Sequence, residues 1–368
     1  MRDGLLALRD RILTSAKFQR FAAAFPISRP IANAQAQKAF DVCAGFVYSQ
    51  ILLACVRLGI LESVRGGPIG IDSLAARAEL PLERMRLLVD AAVAIDLLSH
   101  RSGSRVGLGM KGAAIVANPG ILAMVRHHAL LYGDLADPVR LLRADRPDGN
   151  IRKFWAYADG RGRDAENGAE VAEYSMLMAE SQHLVSGDVI AAVPFKNFRQ
   201  FLDVGGGNGT FVASVVREAP ALKAIVFDLP SVAERAQQNF AALGLQDRCA
   251  AIGGDFFAEP LPVGCDAVTL VRVLHDHDDR DALRLLQAAR EALAPGGTIV
   301  IAEPMAGIRG AAAVTDAYFA FYLLAMGSGR PRSPGVIAEL LTTAGFSEIR
   351  HVATRRPLLV SVVTARQA

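Results

Sequence analysis

The sequence predicts an α/β protein. Its C-terminal part is a doubly wound, mainly parallel, seven-stranded Rossmann-like domain, and a mostly helical, winged-helix domain precedes it. Three observations carry this. Residues 201–209 read Phe-Leu-Asp-Val-Gly-Gly-Gly-Asn-Gly, an apolar strand running straight into a glycine cluster. Asp228 closes a second apolar strand, Ala224-Ile-Val-Phe-Asp, about 20 positions on, the spacing of a nucleotide-handling βαβ unit. From Asn197 onward strand and helix patterns alternate, whereas from Gln35 to about Pro194 the pattern is mainly helical.

In chain order, residues 1–34 form a basic amphipathic arm and residues 35–115 a winged-helix-like dimerisation domain. Residues 116–195 are a helical linker that lines the substrate, and residues 196–368 hold the cofactor. In the arm, Leu5, Leu8 and Ile12 share one helical face, and Phe18, Phe21 and Phe25 follow. In the second segment Ala39 to Leu58 is a long apolar helix, Gly70–Ala78 an Asp-capped short helix, and Pro81–Leu98 a helix with proline at an N1-like place. A hairpin wing over Ser99–Leu108 completes the pattern. The strand runs of the last segment are 201–204, 224–227, 249–252, 267–273, 298–302, 348–352 and 358–364, with an Ala294-Pro-Gly-Gly297 turn before the fifth.

Composition narrows the classes. The chain has 368 residues, is 52% hydrophobic and carries a net charge of +3, too mild to imply nucleic acid. The charge is uneven: residues 1–30 hold six cations against two aspartates, a balance of +4, which leaves the remainder at −1. A basic amphipathic arm suits either an anionic membrane surface or a clasp on a sister subunit. In the helix before the wing, Arg84 and Arg86 are outnumbered by Glu83, Asp90 and Asp96, so few phosphates could be neutralised. The four scattered cysteines (Cys43, Cys55, Cys249, Cys265) read as reduced thiols of a cytoplasmic protein. No run reaches 18 apolar residues, so no transmembrane helix is expected. The adjacent His127 and His128 diverge by about 100° on a helix, and no metal is expected.

The glycines fall as Gly205-x-Gly207-x-Gly209, and Thr210 takes the third-glycine place of the dinucleotide pattern. That disfavours a pyrophosphate, and with it a nicotinamide cofactor. It suits a compact adenosyl ligand whose cationic amino group Asp203 can face, and S-adenosylmethionine is the cofactor inferred. Ligands of doubly wound sheets collect at the carboxyl ends of the strands. This rule picks out the glycine loop, Asp228, Gly254-Asp255-Phe256, His275-Asp276 and Glu303. Methyl transfer to oxygen is an in-line displacement in which the protein must position the acceptor and take its proton. His275, ending an apolar strand beside this crevice, is the expected base, and Glu303 on the neighbouring strand is expected to hold its imidazole. A regulator that merely senses the cofactor would need neither.

The motifs Asp203-Val-Gly-Gly-Gly-Asn-Gly, Phe227-Asp-Leu-Pro230, Gly253-Gly-Asp-Phe256, Leu274-His-Asp276 and Ala294-Pro-Gly-Gly297 occur together, in this order. By them the chain resembles the class I S-adenosylmethionine-dependent O-methyltransferases with a winged-helix dimerisation domain, over nearly all of it after residue 35. The resemblance implies a homodimer, a small-molecule acceptor, His275 as base and Glu303 as its carboxylate partner. It places the cofactor on Asp203, Gly205, Gly207, Asp228, Leu229, Gly254, Asp255, Phe256, Arg272 and Ser181. Two departures stand out. His277 replaces a cofactor-contacting tryptophan of the plant enzymes, and Ser328-Gly-Arg330-Pro-Arg332 stands where they carry a second carboxylate.

The segments Phe18-Gln-Arg-Phe21, Phe25-Pro-Ile-Ser-Arg-Pro30, Phe40–Gln50, Arg126-His-His128 and Tyr132–Pro138 are similar to one branch of this family. That branch methylates the 1-hydroxyl of acyclic carotenoids, hydroxyneurosporene and demethylspheroidene, in purple phototrophic bacteria. The likeness implies a very apolar acceptor taken from a membrane, with the enzyme cytoplasmic and peripheral on that membrane. Met124, His128, Trp155, Tyr174, Met178 and Met326 are candidate pocket walls, although methionine and aromatic residues at helical spacing equally make ordinary core. A bacteriochlorophyll-precursor ring or a phenolic or polyketide hydroxyl is the alternative acceptor.

Overall fold

The computed structural model describes residues 2–145, 147–156, 182 and 185–368, apart from the side chains of Trp155 and Ala156. The chain divides into two compact units, Met1–Val116 and Ala117–Ala368.

The first unit opens with helices α1 (Arg2–Leu13), α2 (Ala16–Ala24) and α3 (Arg29–Arg57), followed by α4 (Ile60–Ser63). A short strand β1 (Ile69–Gly70) leads into α5 (Ile71–Arg77) and α6 (Leu82–Ala94), then β2 (Leu98–Arg101), β3 (Arg105–Leu108) and α7 (Met110–Val116). The three strands form an antiparallel sheet in the order β1-β3-β2, the wing beside its helices. Met85, Val89 and Ala92 recur along one face of α6 and are fully buried. Three local expectations shift. Asp72 lies inside the first turn of α5, where its charge favours the helix N-terminus, and the cap is Gly70, with no side-chain bond. Pro81 is the residue before α6, not its first position. The long apolar helix is longer than the apolar run foretold. At 29 residues, with an 18-residue window of mean hydropathy 1.7, α3 is long and apolar enough to cross a membrane by length and composition alone.

The second unit begins with α8 (Pro119–Asp134), α9 (Pro138–Arg143), α10 (Asn150–Ala156) and a helical turn sequence α11 over 185–192. The sheet strands follow: β4 (Gln200–Val204), β5 (Lys223–Asp228), β6 (Cys249–Gly253), β7 (Cys265–Val271), β8 (Leu293–Glu303), β9 (Phe346–Val352) and β10 (Ser361–Gln367). Among the described residues they form a 7-stranded sheet in the order β6-β5-β4-β7-β8-β10-β9, with only β10 antiparallel to its neighbours. Helices α12 (Thr210–Glu218), α13 (Pro230–Ala242), α14 (Asp279–Ala292), α15 (Ala320–Met326) and α16 (Pro334–Thr343) complete it.

Strand alternation explains the two cores. Phe201, Val300 and Ala302 face one side with Val212 and Val216 of α12 and Phe240 of α13. Leu202, Ile299 and Ile301 face the other with Leu285 and Leu286 of α14 and Ile337 of α16. The strand order runs outward in both directions from β4 and β7, so their carboxyl ends form the switch point at which such sheets bind ligands. Two strand expectations move. The fourth strand stops at Val271 because Arg272 takes φ 59°, a left-handed backbone that no ladder continues. The Ala294–Gly297 segment lies inside β8 as an irregularity, since Leu293 pairs with Cys265 and Thr298 already with Ala267.

Candidate active site

The glycine loop joins β4 to α12 and is tied to β5. The Gly205 N–H donates to the Phe227 carbonyl at 2.8 Å. The Gly207 N–H donates to Asp228 Oδ2 at 2.7 Å, and the Leu229 N–H to Asp228 Oδ1 at 2.7 Å. Asp228 therefore spends one lone pair of each oxygen on the backbone and keeps others for a ligand. Burial pushes its carboxyl up to about 6, against the pull of those two donors. Gly207 has φ 60°, and nothing lies within 4 Å of where a Cβ would be. The loop there presents bare backbone to open space, as a ligand lying on the chain requires.

Asp203, on β4, is 1% exposed. Its Oδ1 accepts the hydroxyl of Thr269, its register partner on β7. Its Oδ2 is buried with no hydrogen-bond partner among the described residues. Burial raises its carboxyl to about 7; the Thr269 bond opposes this and the Asp228 charge adds to it. A buried carboxylate with one open oxygen calls for a cation. The ammonium of S-adenosylmethionine fits that demand, and the bare backbone at Gly207 fits its adenosyl part.

After β6, buried Gly254 donates its N–H to the Asp228 carbonyl at 2.9 Å. Asp255 is exposed, and its Oδ1 accepts the Phe257 N–H at 2.8 Å. The Phe256 ring lies 4.7 Å from that of Phe257 and 5.6 Å from that of His277. His277 stands edge-on to Phe257 at 5.1 Å, so it joins an aromatic cluster with Phe256 and Phe257.

His275 sits just past its strand, on a 3-10 turn over Leu274–Asp276, and is 5% exposed. Its expected partnership with Glu303 is corrected in detail. Glu303 Oε2 accepts the backbone N–H of His275 at 3.0 Å, because a turn leaves that donor without an internal acceptor. The imidazole Nε2 is instead 3.0 Å from Asp276 Oδ1. Glu303 is fully buried, and its Oε1 has no partner among the described residues. Burial pulls the His275 pKa down, but the charge and hydrogen bond of Asp276, with the charge of Glu303, outweigh it and leave it above the ordinary value. Burial likewise holds Glu303 above the usual carboxylate range, although His275 and Arg332 oppose it. Arg272, half-buried on its left-handed backbone, donates its N–H to the Ala302 carbonyl at 2.8 Å and opens the turn.

A wall stands against His275. The Phe319 ring lies 5.9 Å from the imidazole and ends a π-helical turn over Ala313–Phe319, a rare form that recurs at functional sites. Tyr318 beside it bonds His128 Nε2 at 2.8 Å, and Tyr322 one turn on bonds His127 Nε2 at 2.7 Å. Burial lowers both histidines to about 4, so each is a neutral hydrogen-bonding partner. Met124 is half-buried on α8, one turn before His128. Met326 is core: at 7% exposure it packs with Leu131, Ile151 and Tyr322. The Trp155 side chain, Tyr174, Met178 and Ser181 lie outside the described residues. Sequence reasoning missed Tyr318, Phe319, Asp276 as the imidazole's partner, and Arg332.

Fold and site together define an adenosyl-binding α/β transferase with a histidine turn beside its cofactor crevice. The model of the O-methyltransferase domain matches residues 132–347. The chain is 44% identical to demethylspheroidene O-methyltransferase of Cereibacter sphaeroides, over 98% of this chain and 95% of that one. It is 38% identical to the enzyme of the same name from Rhodobacter capsulatus, over 100% and 91%. The crystal structure of human N-acetylserotonin methyltransferase in complex with S-adenosylmethionine superposes with a TM-score of 0.76 at 24% identity, covering 91% of this chain and 98% of that one. The chain belongs to the O-methyltransferase family, and its cofactor is S-adenosylmethionine.

Asp203→Asn removes the buried charge while keeping the shape. Calorimetric titration with S-adenosylmethionine is expected to show affinity reduced by about 1.5–3 kcal/mol, ten-fold or more. Unchanged affinity would contradict the assignment.

Proposed function

We propose that this chain methylates the tertiary 1-hydroxyl of an acyclic carotenoid of the demethylspheroidene type. The observation that carries this reading is full-length likeness to two enzymes named for that acceptor, at 44% and 38% identity. The apolar composition, 52% hydrophobic, agrees with a long apolar acceptor.

S-adenosylmethionine, when bound, supplies a methyl group activated by its sulfonium. His275 takes the acceptor's proton. Asp276 accepts at Nε2, which sets the tautomer and leaves Nδ1 with the lone pair for the hydroxyl. A tertiary alcohol is too weak an acid to ionise beforehand. His275 would therefore take the proton in concert with methyl transfer rather than before it, and Asp276 would steady the imidazolium. Glu303 fixes the turn through the backbone N–H. Phe319, Tyr318 and His128 form the wall that seats the acceptor and excludes water. Catalysis so rests on positioning as much as on basicity.

The cofactor-binding reading extends to Asp228, Gly254 and Phe256 around the adenosyl group. The segment over 35–115 serves as a dimerisation domain: Phe40, Val42 and Phe46 on α3 are 62%, 84% and 73% exposed, and a second copy would cover them. In the arm, Leu5, Leu8, Ile12 and Phe21 are exposed among Arg9, Arg11, Lys17 and Arg20. That combination favours peripheral binding to an anionic membrane.

Incubation with S-adenosylmethionine and a panel of demethylspheroidene, a bacteriochlorophyllide and catechols, scored by product mass, tests the acceptor. Methylation of the carotenoid is expected, with kcat lowered about 10²–10⁴-fold in His275→Ala. Turnover of catechols alone would refute the acceptor, and full activity in the variant would refute the base. For the arm, co-sedimentation with anionic vesicles is expected to fall with added salt and to vanish when residues 2–24 are removed. Equal binding to neutral vesicles would count against it.

A further inference from the structure

Among the described residues the largest fully buried side chain is that of a cation, Arg332, at 0% exposure. Its Nη1 donates to the Leu274 carbonyl at 2.8 Å and its Nη2 to the His277 carbonyl at 2.6 Å, the residues that bracket His275-Asp276. Its Nε and Nη2 reach Asp279 Oδ1 at 2.9 and 2.8 Å. The other oxygen of Asp279 accepts from Arg330 at 2.8 Å. The hydrogen bonds of these two arginines hold the Asp279 carboxyl down at about 2, so it stays charged. The backbone beside Arg332 closes on the same turn. The Arg330 N–H donates to the His275 carbonyl at 2.9 Å, and a Cβ on Gly329, at φ 77°, would lie 2.0 Å from that carbonyl oxygen. Only glycine permits so close an approach.

We infer that Arg332 is a positioning residue for methyl transfer: its guanidinium, anchored by Asp279, locks the turn that presents His275. A planar fork spans two carbonyls and a carboxylate at once, which a lysine ammonium on a flexible stem does not do. A buried cation is costly unless fully bonded, so the lock has one low-energy arrangement. The inference rests on His275 as the base, and the test separates the two.

Kinetics on Arg332→Lys, His275→Ala and the double variant form a cycle. Arg332→Lys is expected to lower kcat about 10-fold to 100-fold, with KM for S-adenosylmethionine within about twofold. In the His275→Ala background the same change is expected to add no further loss. Asp279→Asn, which keeps the buried guanidinium but weakens its anchor, is expected to lower kcat in the same direction and serves if the lysine variant does not fold. An undiminished kcat in both variants, or the same fold-loss with and without His275, would overturn the role of Arg332. Full activity of His275→Ala alone would instead identify the base assignment as the error.

Discussion

A buried carboxylate with one oxygen left open is the constraint on which this site depends. Asp203 is held 1% exposed on a central strand between two apolar cores. Thr269 satisfies Oδ1, and Oδ2 has no hydrogen-bond partner among the described residues. Leaving such a group unpaired costs several kcal/mol, so free protein and charged Asp203 are in conflict. That conflict is resolved when a cation arrives. If Asp203 faces the cofactor's ammonium as proposed, cofactor affinity arises from a destabilised free state as well as from contacts made.

The same logic recurs across β7. Glu303 ends β8 fully buried, with Oε2 on the His275 N–H and Oε1 without a partner among the described residues. Around it the chain is stiff. Arg272 turns through a left-handed backbone, and Arg332 binds the carbonyls on both sides of the histidine. The opposite wall is a π-helical turn whose Tyr318 is tied to α8 by His128. In the proposed mechanism one side of the crevice fixes the donor, and the other presents a base and an aromatic surface to the acceptor. His127 and His128 are neutral there, and the Nε2 of each is engaged with a tyrosine.

Much of the fold was legible because its signals are local. The first two strand runs, the glycine loop and Asp228 lie within 30 residues of one another, and alternation alone assigns the faces of the strands. Thr210 at the third-glycine place sufficed to choose between a dinucleotide and an adenosyl cofactor. What escaped reading joins distant segments. His128 meets Tyr318 across 190 positions and Arg332 meets Leu274 across 58, and no periodicity encodes such pairs. One signal existed for the second. Arg330 and Arg332 form a compact basic pair, and Asp276, Asp278 and Asp279 a compact acidic run, so their union could have been read as charge complementarity. The partner of the imidazole was misassigned for a geometric reason. A strand-end carboxylate reaches the first free backbone donor before it reaches the ring, and the adjacent Asp276 is then nearest to Nε2.

The most direct test is the pH dependence of S-adenosylmethionine binding. Asp203 in the free protein sits near 7 because of burial, and a bound ammonium favours its charged form. Binding therefore selects the ionised carboxylate and releases a proton wherever the free group is protonated. As pH falls below about 7, affinity is predicted to weaken, approaching tenfold per pH unit, with proton release seen by calorimetry in buffers of different ionisation enthalpy. Asp203→Asn should flatten that slope. An affinity that stays constant down to about pH 5, with no proton released, would contradict the account.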